Sequence, residues 1–400
     1  MPMLTRNDMY AAMYLGHLHV EGLKESAMSA TSFDVRIEKL FRRVRWHQHD
    51  PKKLFEDPED NEDDYEEVPL VDDEFWLPEP NKLYFFDTKE VFHLAGWYSG
   101  SIDSRSSWAR YGSAVQTMTD TFKLPHYDGF HGKVRCGLNT LGTLVKIRPG
   151  DAIAQAHMCY DGCGPVLDDE MEMLIKQGRL RMTRDGEEIA ELMQTYIEDD
   201  CAVIRPRSKG KQPVHSEMTL TSDGWNGGFT LTLDRKIKIY TGKVIDPRDP
   251  DPDCFEEIEL DYEGTVIPAG TFFLSASAEE VEIDRHYVGW VGEFNLITKT
   301  KGFGGFGPSG FPSTLQTHAG APKIDPYPRF RGKITFENLP RVPIKLRPGM
   351  RLTELYLRRL NNPYFSEKEE RSRYRDQGEA TISRGHHDYQ SQQLEFYFKR

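Results

Sequence analysis

Residues 131–150, HGKVRCGLNTLGTLVKIRPG, are answered 200 residues later by 331–349, RGKITFENLPRVPIKLRPG. Each begins with a glycine and an alternating run, passes a short polar break, and ends in a second alternating run closed by Arg-Pro-Gly. Alternation with period two places successive side chains on opposite faces of a strand. Within 332–338, Ile334, Phe336 and Asn338 share one face, and Lys333, Thr335 and Glu337 share the other. A lone carboxylate on such a strand is expected to point to solvent.

The correspondence extends upstream. AGWYSGSID (95–103) parallels VGWVGEFNL (288–296), and GHLHV (16–20) parallels GRLRM (178–182). The separation grows from 162 to about 200 residues, so the two copies differ in loop length. We divide the chain into a first β-domain at 1–165, a second at 166–360 and a polar tail at 361–400. Helical signals are few: 6–15 closed by Gly16, 168–177 closed by Gly178, and a third expected over 186–198. Elsewhere SFDVRIEKL, KLYFFDT, GFTLTLDRKIKIY and TVIPAGTFFL read as short strands between Gly, Pro, Asn and Asp. The fold class is mainly all-β, of sandwich, jelly-roll or barrel type.

The net charge is −13, but residues 56–74, EDPEDNEDDYEEVPLVDDE, hold 12 acids and no base. Without them the chain carries −1, which leaves an anionic ligand open. The acidic run reads as a solvated loop. No stretch is long and apolar enough to span a membrane, and MPMLTRNDMYAAMYLG lacks the basic-then-apolar order of a signal peptide. Five sparse cysteines, Cys136, Cys159, Cys163, Cys201 and Cys254, are expected as thiols of a cytoplasmic protein.

Three motifs fail on their context. GFGGFG (302–307) fits G-x-G-x-x-G but runs into PSGFPS, which opens no helix. Cys159-x3-Cys163 lacks a second pair for a zinc tetrahedron. His215-Ser216-Glu217 lacks the downstream P-C-x-x-C of zinc deaminases. His386 and His387 lie in the polar tail and read as solvent-exposed. SRSSWAR (104–110) is more promising, since two guanidinium forks around two hydroxyls suit a phosphate or a polar base edge.

The order Ser32-x-Asp34-x-Arg36, RSSWAR, THAGAPKIDP (317–326), GKITFE (332–337), IKLRPGM (344–350) and RYRDQGEATISR (373–384) resembles the dCTP deaminase branch of the trimeric dUTPase superfamily. The resemblance implies two tandem distorted jelly-roll barrels with a tail that closes over the nucleotide. It implies a metal-independent deamination of dCTP to dUTP and ammonia, with Mg2+ arriving on the triphosphate and no zinc. Carried over residue by residue, Glu337 is the general base, while Ser106 and Arg110 orient the water. Arg105 and Ser107 hold phosphate, and Asp325 meets the sugar. Thr335, Phe336, Tyr364, Arg373 and Gln377 contact the nucleotide.

The two copies depart from the family in complementary ways. The first keeps RSSWAR but has Gly137 in place of the glutamate. The second keeps Asp325 and Glu337 but has Thr298, Lys299 and Thr300 in place of Arg105, Ser106 and Ser107. This pattern predicts one composite site between barrels, and we favour its assembly within one chain. Partners implied are dCTP, dUTP or dTTP as product or effector, and other copies of the chain as a homo-oligomer such as a trimer, with no nucleic acid and no membrane. Two rival activities stay open: dUTP pyrophosphatase, alone or after deamination, and non-catalytic nucleotide sensing.

Overall fold

The computed structural model describes residues 3–43, 65–119, 122, 128–160, 168–189, 193–198, 201–206, 229–291, 293–294, 301–302, 315–318, 323–328, 330–340, 343–365 and 376–383. Strands dominate and are arranged as two β units. In the first, an eight-stranded sheet runs in the order Phe33–Val35, Ala154–Tyr160, Tyr98–Ser104, Ser113–Thr117, Arg135–Thr140, Leu83–Thr88, Ile37–Arg43, Tyr65–Glu67. A three-stranded sheet, Leu18–Glu21, Val91–Leu94 and Phe130–Gly132, accompanies it. Their inner faces enclose Phe33, Phe86, Phe92, Ile102, Leu138 and Met158 in one core.

In the second unit the strands Leu180–Arg184, Phe273–Ile283, Gly332–Pro340 and Leu315–His318 lie side by side. A four-stranded sheet follows the order Phe229–Thr232, Arg351–Arg359, Tyr287–Val291, Lys323–Ile324. Leu231, Phe273, Ile334, Phe336 and Leu357 fill its core. The repeated Arg-Pro-Gly turns match in conformation, with Gly150 at φ +83° and Gly349 at φ +79°. That left-handed region is one only glycine enters without strain.

The units are joined by backbone as well as by packing. Met3 bridges Cys159 of the first and Leu360 of the second. Val145 and Ile245 form a parallel bridge, and Ile245 and Cys254 are buried in the first core although they follow it by a hundred residues. Ala114 and Leu141 pack against Phe272, Leu274, Ala276 and Leu339, with Ala380 of the tail in the same cluster. Arg148 donates bidentately to Asp246 at 2.9 and 2.7 Å.

Two helices are where the sequence places them. Arg6–Tyr14 starts at a capping box between Thr5 and Asp8, and Asp168–Lys176 ends before Gly178 at φ +66°. Three expectations are corrected. Residues 186–198 form the strands Glu187–Glu188 and Met193–Glu198, the latter paired with Cys201–Pro206 rather than coiled as a helix. Part of the acidic run is a strand, Tyr65–Glu67, whose Glu66 and Glu67 face Arg42 and Lys39 across the sheet edge. Cys159 is disulfide-bonded, not a thiol, whereas Cys136 and Cys254 are buried thiols. The oxidation state of a cysteine depends on what the fold brings beside it, which spacing does not reveal. Among the described residues no helix is long and apolar enough to cross a membrane.

Candidate functional site

The RSSWAR segment leaves the strand Tyr98–Ser104 and makes a single helical turn, Ser106–Ala109. Ser104 locks the exit: its hydroxyl donates to the Ser113 carbonyl at 2.8 Å and accepts from the Val115 N–H at 2.7 Å. Trp108 and Ala109 anchor the turn in the interior. Gly112 then turns back at φ +86°, where a Cβ would lie 2.6 Å from the Thr143 hydroxyl. The anchored turn directs Arg105 and Arg110 to opposite ends of the segment, and each end meets residues of the second unit or a relay that leads to them.

At one end Arg110, only 5% exposed, donates to the Thr381 carbonyl at 2.9 Å and to Gln377 Oε1 at 3.2 Å. Gln377 Nε2 donates to Thr335 Oγ1 at 3.2 Å and also to the Lys333 carbonyl. The tail lies beside the strand Gly332–Pro340, with Lys333 N–H donating to the Gln377 carbonyl at 2.9 Å. Thr335 and Glu337 share that face, opposite Ala276 and Leu274 on one side and, for Glu337, His318 on the other. Glu337 is 3% exposed. The sheet face expected to meet solvent is therefore covered, by the first unit through Ala114 and Leu141, which pack against Leu339 of the same strand, and by the tail through Ala380.

At the other end Arg105 pairs with Asp34 at 2.9 Å and donates to the Ala152 carbonyl at 3.0 Å. Gln155 donates to the Ser104 carbonyl at 3.3 Å and accepts from Ser32 Oγ at 3.4 Å. Ser32 Oγ accepts from Lys323 Nζ at 2.9 Å, and that ammonium pairs with Asp325 at 3.0 Å. Lys323 also donates to Thr31, whose hydroxyl contacts Asp325 at 3.4 Å. The buried ammonium is thus neutralised and hydrogen-bonded, as a charge removed from water must be.

The structure joins Arg110 to Thr335 through Gln377, on the strand face that bears Glu337, and joins the Ser104 carbonyl to Asp325 through Gln155, Ser32 and Lys323; Arg105, Ser106 and Ser107 lie on the segment between these two ends. It corrects the expectation for Phe336, whose side chain points into the second core, so that only its backbone lies along the seam. Tyr364 is buried among Met3, Ala30, Val288 and Leu360, a cluster separate from the Arg110–Gln377–Thr335 bridge. Arg373 and the segment Thr298, Lys299, Thr300 lie outside the described residues, as do GFGGFG beyond Gly302, His215, Glu217, His386 and His387. In the first unit a Cβ at Gly137 would stand 3.3 Å from Leu83 Cδ1 and 3.4 Å from Met118 Sδ. Apolar side chains line the place where a second glutamate would stand.

Sequence reasoning passed over Lys323, although it stands two residues before Asp325. It also passed over a buried polar set at the same seam. His157 is fully buried, with Nε2 3.5 Å from Asp103 Oδ2 and its ring edge-on to Trp290 at 5.7 Å. Burial, reinforced by the Lys323 charge, holds the imidazole pKa well below its ordinary value, so it is neutral at physiological pH. The Arg358 guanidinium sits 3.9 Å over Trp290, and burial lowers its pKa to about 10 against the opposing pull of Asp103.

Comparison with known proteins bears on the same regions. The family model described as dCTP deaminase-like matches residues 3–158 and 209–360. A "dCTP deaminase, dUMP-forming" of Streptomyces griseus is 31% identical over 174 residues, covering 41% of this chain and 83% of the relative. One of Bifidobacterium adolescentis is 28% identical over 160 residues, 40% of this chain and 78% of that one. The crystal structure of 2'-deoxycytidine 5'-triphosphate deaminase from Agrobacterium tumefaciens superposes with a TM-score of 0.58 at 16% identity, covering 90% of this chain and 99% of that one. That match therefore spans both β units and supports the jelly-roll fold. With both copies matched by one family model, the chain belongs to the dCTP deaminase-like family.

Proposed function

We propose that the chain hydrolyses the C4 amine of dCTP, giving dUTP and ammonia, at one composite site built by its two β units. The observation that carries this reading is the Gln377 bridge, which ties Arg110 of the first unit to Thr335 of the second on the face that bears Glu337. In this reading Glu337 takes a proton from water as it adds to C4. It hands that proton to N3, then takes the proton of the new C4 hydroxyl and gives it to the amine, which leaves as ammonia as the C4 carbonyl forms. Ser106 and Arg110 orient the water and stabilise charge that develops at C4. Arg105 and Ser107 hold the triphosphate, which enters as its Mg2+ complex, and Asp325 faces the sugar. The tail residues 376–383 exclude bulk water.

The relatives named dUMP-forming favour a second reading, in which dUTP is cleaved further to dUMP and pyrophosphate. The test is incubation of the protein with dCTP and Mg2+, with nucleotides separated by anion exchange and ammonia assayed. Ammonia with dUTP supports deamination alone. Ammonia with dUMP and pyrophosphate supports the two-step reaction. Unchanged dCTP removes both and leaves nucleotide sensing.

A further inference from the structure

Three histidines from distant parts of the chain stand in one row across the small sheet of the first unit. The register pairs His19 with His93 and His93 with His131. Leu18 and Val20 point into the core, so His19 and Glu21 point outward. Ring centroids are 5.3 Å apart for His19 and His93 and 4.2 Å apart for His93 and His131. Glu21 Oε1 lies 2.8 Å from His93 Nε2, and ligand atoms of His19, Glu21 and His93 all fall within 4.8 Å of one another.

The second unit shows how this position is filled when it serves the sheet alone. Arg181 is the sequence counterpart of His19, and Arg331 that of His131. Arg181 pairs in register with Glu282, and Glu282 contacts Arg181 at 3.8 Å and Arg331 at 3.7 Å. The row reads cation, anion, cation, which is the favourable cross-strand arrangement. The first unit replaces it with three imidazoles. Protonated, they would repel; neutral, each offers a nitrogen lone pair, with Glu21 adding an oxygen.

We propose that His19, Glu21, His93 and His131 form a surface site for a divalent first-row transition metal ion, of which zinc is the natural probe. Three nitrogens and a carboxylate are a donor set that zinc accepts in tetrahedral array. Glu21 Oε1 and His93 Nε2 already lie within hydrogen-bond reach of each other, and side-chain rotation at the exposed surface brings the donors to about 2.0–2.1 Å from zinc. The bound ion staples three strands and has no part in the reaction proposed for the seam.

The full-length protein, stripped by chelation, is titrated with Zn2+ against a chromophoric chelator, and separately with Co2+ to read the absorption bands of a four-coordinate site. The wild type is expected to bind Zn2+ with 1:1 stoichiometry attributable to this row. His93→Gln should weaken it at least tenfold and abolish the Co2+ bands, with dCTP turnover unchanged. Because His93 lies on the central strand, His19→Gln on the edge strand is the companion variant if His93→Gln folds poorly. Absence of Zn2+ binding by the wild type overturns the proposal. So does binding of equal strength in both variants, which would place the ion on other histidines.

Discussion

The Arg110 guanidinium donates to Gln377 Oε1 across 3.2 Å, although 267 residues separate the two in sequence. The same amide turns its nitrogen to Thr335, so one tail residue reads out both halves of the duplicated chain. Either half alone would leave the amide with one of its two functions unsatisfied in a buried place.

Gln377→Ala tests that link. The substitution removes the donor to Thr335 and the acceptor for Arg110, and an unpaired buried polar group costs about 1–3 kcal/mol. We expect kcat/KM for dCTP to fall about 10–100-fold, with the fold retained by circular dichroism. Unchanged steady-state kinetics would detach the tail from the reaction.

Deletion of 376–400 should do more than slow the enzyme. From composition the tail is polar and dispensable to the core, yet Ala380 packs with Leu274 and Leu339, and Gln377 and Ser383 are buried. We expect activity to be lost and Tm to drop by several degrees, at about 2–4 °C per kcal/mol for a domain of this size. A truncated protein with wild-type Tm would return the tail to the role of a lid alone.

What the sequence made legible follows from the range of the interactions. The strands, the duplication and the Arg-Pro-Gly turns depend on local alternation and on glycine, and they are visible in 131–150 and 331–349. Residues 193–198 suit period 3.6 as well as period two, and only pairing with Cys201–Pro206 decides for a strand. The burial of Glu337 was invisible because the cover over its face comes from Ala114, Leu141 and Ala380, far away in sequence. The histidine row escaped motif reasoning for the same reason: positions 19, 93 and 131 have no spacing signature, and register alone aligns them.

The Arg148–Asp246 pair gives a pH-dependent test of how the two units hold together. Burial raises the Asp246 carboxyl, but hydrogen bonds from Arg148 and the Arg248 N–H outweigh it and hold the pKa below its ordinary 3.8. A folded-state pKa below the unfolded value contributes stability above about pH 4, lost as pH falls through the folded pKa. Asp246→Asn should therefore lower Tm at pH 7, by an amount consistent with about 1.5–3 kcal/mol for charge-assisted bonds. The gap from wild type should close as the pH is taken below 4. A gap that does not change with pH as it is lowered from 7 would mean that the substitution acts through packing.

Complementation tests the composite site itself. Glu337→Gln keeps the shape of a side chain that is almost wholly buried and removes its basicity, so deamination should fall by about 10²–10⁴-fold while nucleotide binding persists. Arg110→Ala should be similarly inactive, although it lies in the other unit, because a single site needs both. Two independent sites would leave each variant with substantial activity. Mixing the inactive variants then locates the assembly. Arg110 reaches Thr335 through Gln377 inside one chain, and Met3, Ile245 and the Arg148–Asp246 pair close the same seam intramolecularly. Every mixed oligomer therefore still contains only sites lacking either Arg110 or Glu337, and mixing should restore no activity. The control is subunit exchange, followed by native mass spectrometry of isotopically distinguished chains. Recovery of activity in step with exchange would show that Arg110 of one chain serves Glu337 of another, and the intramolecular seam would have to be abandoned as the site of chemistry.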